Sequence, residues 1–86
     1  MLNLLEVKKR IQSEKDWQSR CRDIDIFHSQ LNLTRKKWSI RKTAKLLKMC
    51  ASTVCEDLQL AAFLVNDTSI EKFRRRKDAL EYIRND

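Results

Sequence analysis

Three cysteines, one histidine and two close pairs of carboxylates are the residues of this chain whose types suit metal or covalent chemistry. Cys50 and Cys55 with Cys21 and His28 would make up a Cys3His zinc set. Cys21 and His28 stand seven residues apart, which places them on the same side of a helix. Zinc ligands within one knuckle, however, are typically separated by about two to four residues. Cys21 and His28 also fit the inward stripe of their helix as ordinary core residues, so no metal site and no cofactor are expected. Catalysis would need a nucleophile beside a base, or carboxylates converging in a pocket. Glu56-Asp57 and Asp23-Asp25 are pairs only in sequence, and Asp23 and Asp25 point roughly opposite ways on a helix. With one histidine and a fold too small for a deep cleft, no catalytic residue is assigned. The chain is expected to be neither an enzyme nor a binder of a small-molecule substrate.

The stronger chemical signal is charge. The 86 residues carry 19 lysines and arginines against 12 acids, a formal net charge of +7. Seven cations, Arg35, Lys36, Lys37, Arg41, Lys42, Lys45 and Lys48, fall between positions 35 and 48 with no acid among them, and their sum equals the net charge of the chain. A cationic segment of this kind suits a phosphate backbone. A second run, Arg74-Arg75-Arg76-Lys77, fits either a solvated helix face or a further phosphate contact.

There is no glycine and no proline. Glycine-built phosphate loops and dinucleotide fingerprints are thereby excluded, because only glycine lets backbone amides approach phosphates so closely. Tight two-residue hairpins are disfavoured as well, since their turns want positive φ. Hydrophobic residues make up 42% of the chain, enough for one modest core in one domain spanning 1–86. A chain of this size buries only about 60% of its unfolded surface, and dimerisation is one way to add to that. No apolar run approaches the ~18 residues that would suggest a bilayer span, so no membrane partner is expected. The start, Met1-Leu2-Asn3-Leu4-Leu5-Glu6, lacks the basic region and long apolar stretch of a signal peptide. A reducing cytoplasm and free thiols are the corresponding expectations.

Periodicity supplies the elements. Leu4, Leu5, Val7 and Ile11 form one apolar stripe, and Trp17, Cys21, Ile24, His28 and Leu31, with Phe27 beside them, form another. The step of six from Ile11 to Trp17 breaks the pattern, giving two helices, or one kinked near Ser13, over residues 2–31. Ser13 with Asp16 resembles a capping box. Residues 32–38 are polar and basic and read as a linker. Ser39 is an N-cap for a helix from Ile40 to Lys48, with Ile40, Ala44 and Leu47 inward. After Met49-Cys50-Ala51, Ser52 caps a second helix to about Val65. Its downstream half is apolar all round, suiting burial between neighbouring helices or a dimer interface. Thr68-Ser69-Ile70-Glu71 is a capping box that opens a last helix over 69–84, with Ile70, Phe73, Leu80 and Ile83 on its buried face.

The twenty residues Ile40 to Gln59, IRKTAKLLKMCASTVCEDLQ, place small Ala44 fifth, Leu47 and Met49 eighth and tenth, and β-branched Val54 fifteenth. In this the segment resembles the helix-turn-helix of bacterial and phage DNA-binding regulators, and more weakly the DNA-binding domains of partition proteins. The resemblance covers about a quarter of the chain, and two positions depart from it. Lys48 stands where the turn usually carries glycine, at a strain of ~1 kcal/mol if the geometry is kept. Asp57 stands at a usually apolar position, with Arg35 or Arg41 as conceivable partners.

The resemblance implies an all-α fold of four or five short helices around a central helix-turn-helix at 40–65, without sheet or wing. It also implies double-stranded DNA as partner and the cytoplasm or nucleoid of a bacterial host. The cations from Arg35 to Lys48 would hold phosphates, while Ser52, Thr53, Cys55, Glu56 and Gln59 would face base edges. That helix carries no arginine or lysine, so the common arginine-to-guanine contact is absent from it. Such a weak reader suits a homodimer or a larger assembly. The competing expectations are a helical module for a protein partner, such as a polymerase, terminase or partition complex, and nonspecific architectural DNA binding.

Overall fold

A computed structural model of the chain describes residues 4–35, 37–66 and 68–85. They form five α-helices, α1 (Leu4–Ser13), α2 (Trp17–Thr34), α3 (Ile40–Leu47), α4 (Ala51–Asn66) and α5 (Arg76–Arg84), with a 3-10 turn at Thr68–Lys72 between the last two. No strand occurs among the described residues. None of their helices is long and apolar enough to cross a membrane.

The N-terminal pair is two separate helices. Ser13 is the last residue of α1, not a cap, because its hydroxyl turns back to the Lys9 carbonyl at 3.0 Å. The cap of α2 is Asp16, which accepts from the Ser19 amide at 3.2 Å. Helix α2 then continues through Asn32, Leu33 and Thr34, so the linker is shorter than the composition suggests. Polar side chains do not stop a helix that lacks a breaker.

Ser39 caps α3 as expected, accepting from the Lys42 amide at 3.3 Å. The turn after α3 keeps the geometry a glycine would normally supply. Lys48 lies in the left-handed region at φ 57 and ψ 44. Its amide reaches the Lys45 carbonyl at 3.3 Å and the Met49 amide reaches that of Ala44 at 2.9 Å, the paired bonds of a Schellman ending. A left-handed L-residue costs roughly 1–2 kcal/mol; here two hydrogen bonds hold it. Helix α4 starts earlier than Ser52, since the Val54 amide already bonds the Cys50 carbonyl at 3.1 Å. Ser52 is therefore an exposed residue inside the helix.

The last helix is split. Tertiary donors take the carbonyls a continuous 69–84 helix would use: Gln18 Nε2 donates to Glu71 O at 2.9 Å, and the Trp17 indole N–H to Phe73 O at 3.1 Å. The Glu71 carboxylate pairs with Arg22 at 3.0 Å instead of closing a capping box. Only from Arg76 does an α-helix resume, and its inward residues Ala79 and Leu80 are buried.

Two apolar clusters make the core. One joins Val7 and Ile11 of α1, Ile24, Phe27 and Leu31 of α2, Ala44 and Leu47 of α3, and Val54 of α4. The other joins Trp17 and Cys21 to Leu60, Ala61 and Leu64, with Ile70, Ala79 and Leu80 closing it. Both clusters draw on α2 and α4. The apolar half of α4 is thus largely consumed inside the molecule, although Val65 remains exposed.

Asp57 is fully buried, and its partners are neither Arg35 nor Arg41. Arg76 Nε donates to Oδ1 at 2.7 Å, the Cys21 thiol approaches the same oxygen at 3.4 Å, and Arg20 stands 3.6 Å from Oδ2. Burial, reinforced by the Asp57 charge, pushes the Cys21 thiol well above its ordinary range, so it stays protonated and donates. Arg76 also holds Glu56 at 2.9 Å, and Arg84 grips the other oxygen of that carboxylate.

Removing one partner of a buried ion pair strands the other, at a cost of about 3 kcal/mol or more, whereas an exposed pair contributes under about 1 kcal/mol. Arg76→Leu is therefore expected to lower the urea-unfolding free energy by ~3 kcal/mol, and Arg84→Ala by less than ~1 kcal/mol. The hydrogen bond from Arg76 holds the Glu56 carboxyl below the usual glutamate range. The resulting stability is present above that range and is lost as pH falls through the lowered value. Glu56→Gln should flatten that part of the acid-unfolding profile.

Candidate nucleic-acid interface

Of the seven cations singled out by the sequence, Lys36 lies outside the described residues. The other six, Arg35, Lys37, Arg41, Lys42, Lys45 and Lys48, are all exposed. Among the described residues none of the six forms an ion pair, whereas Arg10, Arg20, Arg22, Arg76 and Arg84 are all engaged by carboxylates. Asp23, Glu56, Asp57 and Glu71 are thus paired elsewhere, and among the described residues the cations around α3 keep no ion-pair partner.

A buried polar knot orders this surface. Thr43, wholly buried on α3, accepts from the Trp38 indole N–H at 2.7 Å, and its Oγ1 lies 2.6 Å from His28 Nδ1 on α2. His28 Nε2 in turn lies 3.0 Å from the Asn32 amide. Trp38 is thereby fixed against both helices. Arg35 and Lys42 stand 5.3 and 5.7 Å from the Trp38 ring centroid, within cation–π range. Lys42 also donates to the Lys37 carbonyl at 3.4 Å, across a loop in which Lys37 has φ 55. The segment entering α3 is consequently a shaped element, with its cations aligned over one aromatic ring.

On α4, Ser52, Cys55, Glu56 and Gln59 recur at helical spacing along one side, with Thr53 next to Ser52. Ser52 and Gln59 are exposed, while Thr53, Cys55 and Glu56 are partly so. Gln59 Nε2 approaches Cys55 Sγ at 3.9 Å. Glu56 is held in the clasp of Arg76 and Arg84, which neutralises the charge that would otherwise repel a phosphate backbone. Arg76 also donates to the Thr53 carbonyl at 3.4 Å. Of the second basic run, Arg76 turns inward while Arg74, Arg75 and Lys77 stay exposed.

The zinc candidates are dispersed. Cys21 is bound to Asp57, His28 to Thr43, and Cys50 is exposed at the start of α4. Among the described residues no group of three or more histidines, cysteines or carboxylates is arranged to hold a metal ion.

Trp38, Thr43 and His28 as a unit, and the Arg76–Arg84 clasp, were not singled out from the sequence. Trp38 and Thr43 are five residues apart, but His28 lies 15 from Thr43, and Glu56 lies 20 and 28 from Arg76 and Arg84. No protein-family model, curated protein or solved structure matches this chain.

Burial lowers the pKa of His28, partly opposed by Asp25. A base whose pKa falls on folding contributes stability that is full above its unfolded value, about 6.5, and is lost as pH falls through the lowered folded value. Chemical denaturation should accordingly show declining stability between pH 6.5 and the folded-state pKa, and His28→Gln should remove that decline. Thr43→Val, which leaves the Trp38 N–H without its acceptor, should cost about 1–3 kcal/mol.

Proposed function

We propose that this chain binds double-stranded DNA, with α3 and α4 acting as a helix-turn-helix, in the role of a small transcriptional regulator of the phage or mobile-element kind. The observation that carries the reading is the surface around α3. Six exposed cations without ion-pair partners among the described residues stand beside a two-helix unit closed by a left-handed turn. In such a unit the first helix and its lead-in run along the phosphates, while the start of the second enters the major groove.

The roles follow from side-chain chemistry. Arg35, Lys37, Arg41, Lys42, Lys45 and Lys48 neutralise phosphates and release their counterions. Ser52, Thr53 and Cys55 lie toward the beginning of α4, where base edges or adjacent phosphates would be met. Gln59, one turn further on, suits bidentate recognition of adenine. Glu56 would meet DNA as a neutralised member of an ion-pair clasp, so its proposed acceptance from cytosine N4 requires exchange with Arg76 and Arg84. Four uncharged readers and one neutralised one give modest discrimination per half-site, which two copies on an inverted repeat would multiply.

Fluorescence anisotropy on a labelled random-sequence duplex, titrated with salt, tests the anchoring. With six phosphates neutralised, log K should fall against log salt with a slope of about −5, and Lys42→Ala/Lys45→Ala should reduce its magnitude by about 2. Absence of binding at low salt, or an unchanged slope in the double variant, would overturn the assignment. Selection from a randomised duplex pool tests the reading helix: Ser52→Ala/Gln59→Ala should relax any enriched motif while leaving the slope intact.

A further inference from the structure

Lys8 lies outside the basic run, yet the fold brings it to the same surface. Val7 and Ile11 pack α1 into the cluster that also buries Leu47 of α3. Lys8, the neighbour of Val7, is carried with it to the outer flank of α3. There Lys8, Lys42, Lys45 and Lys48 line an open groove of about 490 Å³ whose remaining walls are Trp38 and Leu46. Among the described residues no carboxylate lines it and none from α4 contributes to it. Glu6 is two residues from Lys8, about 200° around the helix, and therefore points away.

We infer that this groove is a phosphate-binding channel in which Lys8 joins Lys42, Lys45 and Lys48 on successive phosphates of one nucleic-acid strand. The assignment rests on the DNA reading above and extends it to a residue of α1. No acid among the described residues lines the groove; the stems of its four lysines, with Trp38 and Leu46, make its surface mostly apolar, and their ammonium groups can serve phosphates as mobile point charges. The apolar walls of Trp38 and Leu46 suit the sugar faces between those phosphates. Trp38 adds order: its N–H is fixed by buried Thr43, and Lys42 is held over its ring. Because α4 takes no part in the groove, its exposed face stays available for base edges when a strand lies there.

Adjacent lysines supply the test. Lys9 is exposed on the same helix but does not line the groove. Lys8→Gln and Lys9→Gln remove the same charge from neighbouring positions, so a general effect of net charge would strike both equally. Salt titrations by anisotropy, on the full chain with the random-sequence duplex, should show the slope reduced in magnitude by about 0.9 for Lys8→Gln and unchanged for Lys9→Gln. Lys8→Met, which keeps the aliphatic stem, should behave like Lys8→Gln, and circular dichroism melting should show all three folded. Equal slopes for the two glutamine variants would overturn the groove while leaving the DNA reading intact. A full parental slope in Lys8→Met would do the same, by assigning the loss in Lys8→Gln to packing. Failure of the parent chain to bind duplex would overturn both.

Discussion

The buried carboxylate of Asp57 is the constraint around which the architecture is arranged. It sits on α4, the helix shared by both apolar clusters, at a position where the neighbouring turns are filled by Val54 and Leu60. A carboxyl group without solvent must be met by donors or countercharge, and these come from two other helices. Cys21 donates from α2 and Arg76 from the first turn of α5, while Arg20 of α2 adds a countercharge 3.6 Å from Oδ2. One acid thus ties α2, α4 and α5 together. An apolar residue at this position could fill the space, but it would not dictate which arginine must turn inward.

That tie also sorts the charges. Arg76 engages Asp57 and Glu56 together, and Arg84 completes the enclosure of Glu56. The carboxylates of α4 are thereby neutralised from the side of α5. Across the molecule, the cations of α3 and its lead-in have no such partners among the described residues. A chain that is only moderately basic in composition therefore presents one strongly basic surface. The segregation arises from tertiary pairing as much as from the run of lysines.

Periodicity made the helices legible. The stripes from Leu4 to Ile11 and from Trp17 to Leu31 correspond to α1 and α2. Ser39 caps α3, and Ala44, Leu47 and Val54 stand in α3 and α4 as their spacing implies. Local chemistry was less reliable where a distant group competed for the same atoms. The 69–84 segment has a capping box on paper, yet Gln18 and Trp17 claim the carbonyls of Glu71 and Phe73. No property of residues 68–73 records that competition. Ser13 failed as a cap because a serine hydroxyl can equally bond backward, and its spacing to Asp16 does not distinguish the two. The candidate surface was legible as a run of charge. The knot of Trp38, Thr43 and His28 that shapes it depends on contacts between α2 and α3, and the arrival of Lys8 depends on how α1 docks.

The turns at either end of α3 are built on lysine. Lys37 and Lys48 both hold positive φ in a chain that contains no glycine at all. Backbone tension and surface charge are therefore vested in the same two residues. A mutation that relaxed either turn to glycine would discard a cation in the same step, and one that kept the cation would keep the tension. Through descent, the two properties can only be traded against each other at these sites. A lineage under selection for a firmer fold would lose part of its basic face unless a lysine arose elsewhere.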